Sequence, residues 1–162
     1  MTPNGYNALR RELKRLKASR PELSRAIEVA RAHGDISENA DYDAAKNKSG
    51  MVEAKIRDIE SKLAYAQIID PLKIASMDKV VFGLSVKIED LDSSESKKIS
   101  LVGSDESDID KGLISFESPL GKALIGKQLG DVVKVNLPAG SREFEIMEIF
   151  VDYVPEPEED MQ

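Results

Sequence analysis

The apolar residues of the first half of the chain recur at alternating intervals of three and four positions. One run consists of Tyr6, Leu9, Leu13, Leu16, Leu23, Ile27 and Ala30, and Arg20 occupies the position between Leu16 and Leu23. A second run consists of Tyr42, Ala45, Ser49, Val52, Ile56, Ile59, Leu63 and Ala66. This spacing is that of positions a and d of a heptad repeat, so each run predicts a helix that packs along one apolar seam.

The two seams match each other in antiparallel orientation. Residue numbers paired across an antiparallel hairpin have a constant sum, and Leu9 with Leu63 and Ala30 with Tyr42 both give 72. The midpoint is residue 36, which places the turn in the sequence GDIS. Each arm of about 28 residues would be roughly 42 Å long. Leucine and isoleucine occupy the seam far from the turn, and alanine, serine and tyrosine occupy it near the turn, which predicts a slender tip.

Pro21 interrupts the first arm. Proline has no amide hydrogen to donate, and it disfavours helical geometry at the preceding residue, here Arg20. We therefore expect a bend or broken backbone hydrogen bonds near residues 17–21.

The second half of the chain changes to a period of two, which is typical of strands. The predicted strands are FGLSVKIE (82–89), KISLV, GLISFE, VVKVNL and REFEIMEIFV. The segment SPLGKALIG (118–126) predicts a short helix with Ser118 as N-cap, Pro119 at its first position and Gly126 at its end. These patterns predict about five strands and one helix in a small sheet domain.

The predicted fold class is therefore α+β. Residues 1–75 are expected to form an antiparallel coiled-coil hairpin with an acidic tip near residues 34–43, and residues 76–154 a small β domain. Residues 155–162 form an acidic, proline-containing tail that we expect to be disordered.

The composition excludes several classes of function. The net charge of −7 argues against non-specific nucleic-acid binding through the whole surface, although residues 1–31 carry eight basic and three acidic side chains. The absence of cysteine excludes thiol catalysis and cysteine-bound zinc and fits a cytoplasmic location, and the single histidine, His33, excludes multi-histidine metal sites. Neither a membrane span nor the apolar core of a signal peptide is present in the sequence, so no membrane partner is expected.

Four carboxylates, Asp35, Glu38, Asp41 and Asp43, lie within nine residues at the predicted tip. One interpretation is structural: Asp35 is an N-cap, Glu38 completes the capping arrangement, and the other two are solvated in a first helical turn. A calcium loop is excluded, because its sixth and twelfth positions hold Ala40 and Lys46 instead of Gly and Glu. The other interpretation is a partial magnesium site that a second macromolecule completes, since one or two carboxylates commonly hold that ion.

Three motifs resemble the bacterial Gre transcript-cleavage factors, a family of transcription elongation factors. They are the tip sequence ARAHGDISENADYDAAK, the second arm EAKIRDIESKLAYAQIID, and GLISFESPLGKALIGKQLGDVV, which is similar to the signature of the family's FKBP-like C-terminal domain. The resemblance covers residues 5–153 and lies nearer to the GreA type than to the GreB type, whose arm is more basic.

The resemblance implies a function that depends on a partner. In this family the hairpin enters the secondary channel of a backtracked bacterial RNA polymerase, and the polymerase cleaves the 3′ end of its own nascent RNA. The factor is then not an independent enzyme, has no small-molecule substrate and has no cofactor of its own, since the Mg²⁺ is shared with the polymerase. Asp35 and Glu38 correspond to the acids that help to hold that ion, and Asn39, Asp41 and Tyr42 are weaker candidates in the same motif.

The resemblance also implies two contact regions. Arg10, Lys17 and Arg31 share one heptad letter and correspond to a basic flank that contacts RNA phosphates without reading sequence; a solvated coiled-coil flank is the structural alternative. Ser118 and Pro119 lie where the family docks on the rim of the secondary channel, and capping of the short helix is their structural alternative. Tyr42 is also explained by packing on the seam, and His33 by a turn position.

The sequence is also compatible with two other functions. An FKBP-like domain could act as a chaperone or prolyl isomerase, which requires a cluster of aromatic side chains around a proline ring. A structural coiled-coil adaptor would have no catalytic role, and its tip acids would be dispensable.

Overall fold

The computed structural model describes residues 1–34 and 39–157. The chain divides into two compact units. The first unit is the segment Tyr6–Ala66, and the second combines Met1–Gly5 with the chain from Gln67 onward.

The first unit is a hairpin of helices α1 (Pro3–Ala18), α2 (Arg20–Ala32) and α3 (Ala40–Tyr65). Apart from Arg20, which is exposed, all residues of the two predicted seams are buried or half-buried. Leu16, Ile56 and Ile59 form the buried centre, and partly buried apolar residues of both arms pack around it: Leu9, Leu13, Val52 and Leu63. These contacts confirm the hairpin. No helix in the described ranges combines the length and apolar character that crossing a bilayer requires.

The predicted interruption of the first arm occurs at Ser19, which separates α1 from α2. The amide of Ser19 donates to the carbonyl oxygens of Arg15 and Leu16 at 3.2 and 3.1 Å, so the last turn of α1 tightens. The Ser19 hydroxyl also donates to the Leu16 carbonyl oxygen at 2.6 Å. Arg20, which we expected to be non-helical, is the first residue of α2, because Pro21 is tolerated in a first helical turn.

Ion pairs join the two arms beside the seam. Arg20 Nε and Nη2 donate to the two carboxylate oxygens of Glu53 at 2.9 and 3.1 Å, and Lys17 Nζ lies 3.2 Å from Glu60. The bidentate hydrogen bond from Arg20 lowers the pKa of the Glu53 carboxyl. The charged residue in the seam is thus satisfied by the opposite helix.

The second unit contains one mixed five-stranded sheet. Its strands are β1 (Ser85–Asp90), β2 (Ser96–Val102), β3 (Leu113–Ser115), β4 (Val132–Leu137) and β5 (Gly140–Phe150), in the order β3-β2-β1-β5-β4. Neighbouring strands are antiparallel except β2 and β3, which are parallel. Together with the helical hairpin, this sheet confirms the predicted α+β class.

Helix α4 (Pro119–Leu124) packs on one face of this sheet. That face follows the predicted alternation: Val86 and Ile88 of β1 are buried, whereas Lys87 between them is exposed. The predicted first strand starts too early, at Phe82. Gly83 adopts a φ of +90° and the Leu84 amide donates to the Val81 carbonyl oxygen at 3.2 Å, so a turn occupies the positions before Ser85.

The unit boundary lies before the one that the sequence predicts at 75/76. The Met1 ammonium group donates to the Gln67 carbonyl oxygen at 2.8 Å, and the Ile69 amide donates to the Met1 carbonyl oxygen at 2.9 Å. The first residues and the segment after α3 therefore belong to the sheet unit. The tail was expected to be disordered from residue 155, but the Glu156 amide donates to Asn4 Oδ1 at 2.8 Å; residues 158–162 lie outside the described ranges.

Two glycine substitutions should change stability in opposite directions. A Cβ at Gly50 meets nothing within 4 Å, so Gly50→Ala in α3 should stabilise the hairpin by about 0.5–1 kcal/mol. A Cβ at Gly121 would lie 2.2 Å from the Ser115 carbonyl oxygen, so Gly121→Ala should cost on the order of 1–3 kcal/mol as α4 shifts. Urea denaturation followed by circular dichroism measures both, and a shift of the same sign for the two variants would contradict the prediction.

The Arg20–Glu53 pair predicts a specific dependence on pH. The folded-state pKa of Glu53 is depressed, so its contribution to stability is present above the unfolded pKa and is lost as pH falls through the folded pKa. Glu53→Gln should therefore be less stable than the parent at pH 7, and the difference should shrink as the medium is acidified. Glu28→Gln provides a control at an exposed glutamate of α2, and a Glu53→Gln deficit that is independent of pH would show that the ion pair is not its source.

Candidate functional site

Asn39 joins the two arms at the base of the tip. Its Oδ1 accepts a hydrogen bond from the Tyr42 amide at 3.0 Å, which makes Asn39 the N-cap of α3. Its Nδ2 donates to the carbonyl oxygen of Ala30, in the last turn of α2. A single half-buried side chain therefore satisfies an amide at the start of one helix and a carbonyl at the end of the other.

Asp35 and Glu38, the two acids assigned to the metal, lie outside the described residues. The capping roles considered for them fall there too. Helix α3, however, already has its N-cap in Asn39. Capping of α3 therefore does not explain why Asp35 and Glu38 are acidic. The structural interpretation of the tip is weakened to that extent.

Tyr42 and its neighbours form the described part of the tip. The Arg31 guanidinium carbon lies 5.8 Å from the centroid of the Tyr42 ring, and Lys46 Nζ lies 5.9 Å from it. Both distances allow a cation–π interaction. Tyr42 is half-buried on the seam as expected, and Asp41 is exposed in the first turn of α3, where the helix dipole favours a carboxylate.

The basic residues of the first arm are not gathered into one cluster. Arg10 and Arg31 are about twenty residues apart, which is roughly 30 Å along helices. Arg10 lies over the Tyr6 ring at 5.9 Å, Lys17 pairs with Glu60, and Arg31 lies over Tyr42. Arg31 is the member of the predicted flank that lies beside the tip residues.

Ser118 and Pro119 begin helix α4 as the sequence predicts. The Ser118 hydroxyl accepts a hydrogen bond from the Gly121 amide at 3.1 Å and donates to the Ser115 carbonyl oxygen at 2.6 Å. Its polar atom is thus used within the fold, while Pro119 is exposed at the first turn. Of the two residues assigned to docking, Pro119 is the better placed to meet a partner.

The described residues contain no group of three or more acidic, histidine or cysteine side chains that could hold a metal ion. The carboxylates of Asp35 and Glu38 are hard oxygen donors, which is the ligand chemistry that Mg²⁺ prefers. Two such donors fit a partial site, but they leave most of an octahedral coordination shell to ligands from elsewhere.

Sequence reasoning missed the two-sided bonding of Asn39 and the position of Lys46 beside Tyr42. A signal for the first was present, because asparagine is a preferred N-cap and stands directly before the helical run ADYDAAK. Lys46 follows Tyr42 by four residues, the spacing at which side chains meet on a helix.

Two family models match nearly the whole chain. The N-terminal domain of transcription elongation factors matches residues 1–68, and the GreA/GreB C-terminal domain matches residues 75–150.

Two GreA proteins agree with these matches. Transcription elongation factor GreA of Psychrobacter arcticus is 48% identical over 153 residues, covering 94% of this chain and 97% of its own length. GreA of Desulfovibrio desulfuricans is 52% identical over 143 residues, covering 88% of each chain. The crystal structure of GreA factor homolog 1 (Gfh1) of Thermus thermophilus is 30% identical, covers 92% of this chain and 96% of that chain, and gives a TM-score of 0.42.

The family models and the GreA relatives extend over both units, and the tip motif and the α4 motif stand in the segments that they match. The chain therefore belongs to the GreA/GreB family of transcription elongation factors.

Proposed function

We propose that this elongation factor inserts the tip of its hairpin into the secondary channel of a backtracked bacterial RNA polymerase. There it stimulates the polymerase's own endonucleolytic cleavage of the nascent RNA 3′ end, which rescues the arrested complex. The polymerase supplies the active site, so the factor acts in the cytoplasm as an accessory protein of the polymerase and not as an independent hydrolase. The proposal rests on membership of the family together with an intact acidic tip.

The observation that carries the proposal is the position of the acids relative to the hairpin. Asp35 and Glu38 lie between the end of α2 at Ala32 and the start of α3 at Ala40. The seam next to this turn is built from Ala30, Tyr42 and Ala45, whereas leucine and isoleucine build it farther away. Helix α3 alone has 26 residues, roughly 39 Å at 1.5 Å per residue. Such a hairpin can carry carboxylates into a narrow space.

Within the polymerase site, Asp35 and Glu38 would contribute carboxylate oxygens toward a shared Mg²⁺, and that ion supplies activation of water for hydrolysis when it is bound. Asp41 is exposed in the first turn of α3 and adds negative charge to the tip end of the hairpin. Arg31, which lies over Tyr42, would contact phosphates of the displaced RNA. Arg10 and Lys17 are assigned the same kind of contact farther along the arm.

Docking on the channel rim is assigned to the first turn of α4. Pro119 is exposed there, and the cap formed by Ser118 fixes the helix start. The proposal separates two quantities that kinetics can measure independently. Changes at α4 should alter the concentration of factor that is needed, and changes at the tip acids should alter the maximal rate.

No observation favours the isomerase alternative. A cavity of about 200 Å³ in the sheet unit is lined by charged residues that include Asp90, Lys97 and Arg142, and Phe144 is its one aromatic among the described residues. A proline-ring site would need several aromatic walls. The adaptor alternative gives no account of four carboxylates at the tip.

Neutralising the two tip acids should abolish most of the cleavage activity. The variant Asp35→Asn/Glu38→Gln keeps side-chain size but removes the charge that a hard cation requires. We expect folding to change by at most about 1 kcal/mol and RNA cleavage in a backtracked complex to fall by orders of magnitude. The loss should be partly relieved at raised magnesium, because mass action refills a weakened site. Shortening of 3′-extruded, labelled RNA is the measurement.

The matched control is Glu28→Gln/Asp58→Asn, which neutralises one Glu and one Asp that are exposed elsewhere on the hairpin. It should cleave at the parent's rate. If the Asp35→Asn/Glu38→Gln protein also cleaves normally at ordinary magnesium, the tip acids have no part in the chemistry and the proposal fails.

A charge at the first turn of α4 should weaken docking without slowing the chemistry. Pro119→Glu preserves the helix start, since glutamate is favourable in a first helical turn. An unpaired charge in an interface costs about 2 kcal/mol, so the half-maximal concentration for cleavage should rise roughly thirtyfold. The maximal rate should be unchanged. Pro138→Glu, at the exposed turn between β4 and β5, is the control, and equal half-maximal concentrations for the two variants would contradict docking at α4.

A further inference from the structure

Apolar contact between the two arms of the hairpin decreases toward its tip. Leu16, Ile56 and Ile59 form the buried cluster of the described hairpin, whereas the seam beside the turn offers Ala30, Tyr42 and Ala45. The two alanines bury little apolar area, and stabilisation scales with that area. Another interaction must therefore hold the ends of α2 and α3 at a fixed distance.

Asn39 supplies such an interaction. The acceptor end of its amide caps α3 through the Tyr42 amide, and the donor end bonds the Ala30 carbonyl oxygen of α2. Because Ala30 is only 5% exposed and Asn39 is half-buried, water competes less for these groups than at the surface. The side chain therefore links the end of α2 to the start of α3 through hydrogen bonds to both. This link between the two helices is called the tie below.

Capping alone does not require asparagine at this position. Aspartate and serine are equally good N-caps, but an ionised aspartate has no donor, and a serine hydroxyl has a shorter reach. Only a side chain with an acceptor and a donor at amide spacing can serve both helices. The two contacts therefore indicate that this residue both caps α3 and links α3 to α2.

We propose that Asn39 is a positioning residue that fixes the two helix ends between which Asp35 and Glu38 are carried. This inference rests on the proposed function, because its consequence is read in the cleavage reaction. It differs from a catalytic role for Asn39, since the hydrogen bonds from which it is argued go to backbone groups of the hairpin and not to a reacting group. A reacting group displaced by about 1 Å can lose on the order of a hundredfold in rate, so loosening the tie should act on chemistry.

The test uses two variants that keep the cap and remove the tie, Asn39→Ser and Asn39→Asp. Asn47→Ser is the matched control, because Asn47 is exposed on the same helix. Each is assayed for cleavage in a backtracked complex at saturating factor. The absence of native cysteine allows spin labels at Ala32→Cys and Ala44→Cys, two exposed positions on either side of the turn, to report the distance between the arms in the free protein.

We expect both tie-deficient variants to lower the maximal cleavage rate about ten- to a hundredfold with an unchanged half-maximal concentration. The distance distribution between the labels should broaden in both, and Asn47→Ser should change neither readout. Because serine is neutral, a loss shared by the two variants is not an effect of the added aspartate charge.

Two results would overturn the inference. Full cleavage with a narrow distance distribution in both variants would mean that the cap is sufficient. A reduced rate with an unaltered distribution would mean that Asn39 acts on the reaction directly. If the parent protein itself stimulates no cleavage, the proposed function fails, whereas the label distances still decide whether Asn39 ties the arms.

Discussion

The packing of two apolar seams against each other determines where everything else in the hairpin lies. Leu16 on the first arm and Ile56 and Ile59 on the second form its buried centre. Because side chains on an antiparallel pair meet in one register, fixing these contacts fixes the position of the turn. A shift of this register would move the leucine and isoleucine side chains of one arm out of line with those of the other arm. The location of the acidic segment is thus a consequence of hydrophobic packing some distance from it.

Polar interactions join the two arms at the positions where the seam lacks large apolar side chains. At the break between α1 and α2, Arg20 pairs with Glu53 in a bidentate contact that replaces an apolar pair. At the end of the hairpin, Asn39 bonds backbone groups of both helices. An exposed ion pair contributes little to stability compared with burial of an isoleucine. Its geometry, however, is directional, so such contacts are suited to fixing the alignment of helices that the seam already holds together.

The sequence predicted the fold class, the seams and the cap of α4, because each follows from a local or periodic pattern. The positions of breaks and boundaries were less predictable, because they depend on hydrogen bonds between residues distant in the chain. Pro21 indicated an interruption, but Ser19 marks it, since its hydroxyl and amide both bond the end of α1. The boundary after Ala66 depends on hydrogen bonds that Met1 donates to Gln67 and accepts from Ile69, which no periodicity reveals.

The candidate site divides in the same way. The acidic tip was evident from charge density, and the family resemblance implied roles for the acids, whereas the two-sided contact of Asn39 required the structure. Asn39 meets the capping needs of α3, so the described fold makes no demand on the charges of Asp35 and Glu38 for that purpose. Carboxylates that lie close together in the chain repel one another, and capping of α3 does not compensate for the charges of Asp35 and Glu38. Under the proposed function this cost has an explanation: two carboxylates are too few to retain a magnesium ion alone, so their full interaction forms only where the polymerase contributes the remaining ligands. An incomplete site on a slender hairpin would then confine cleavage to the complex that needs it.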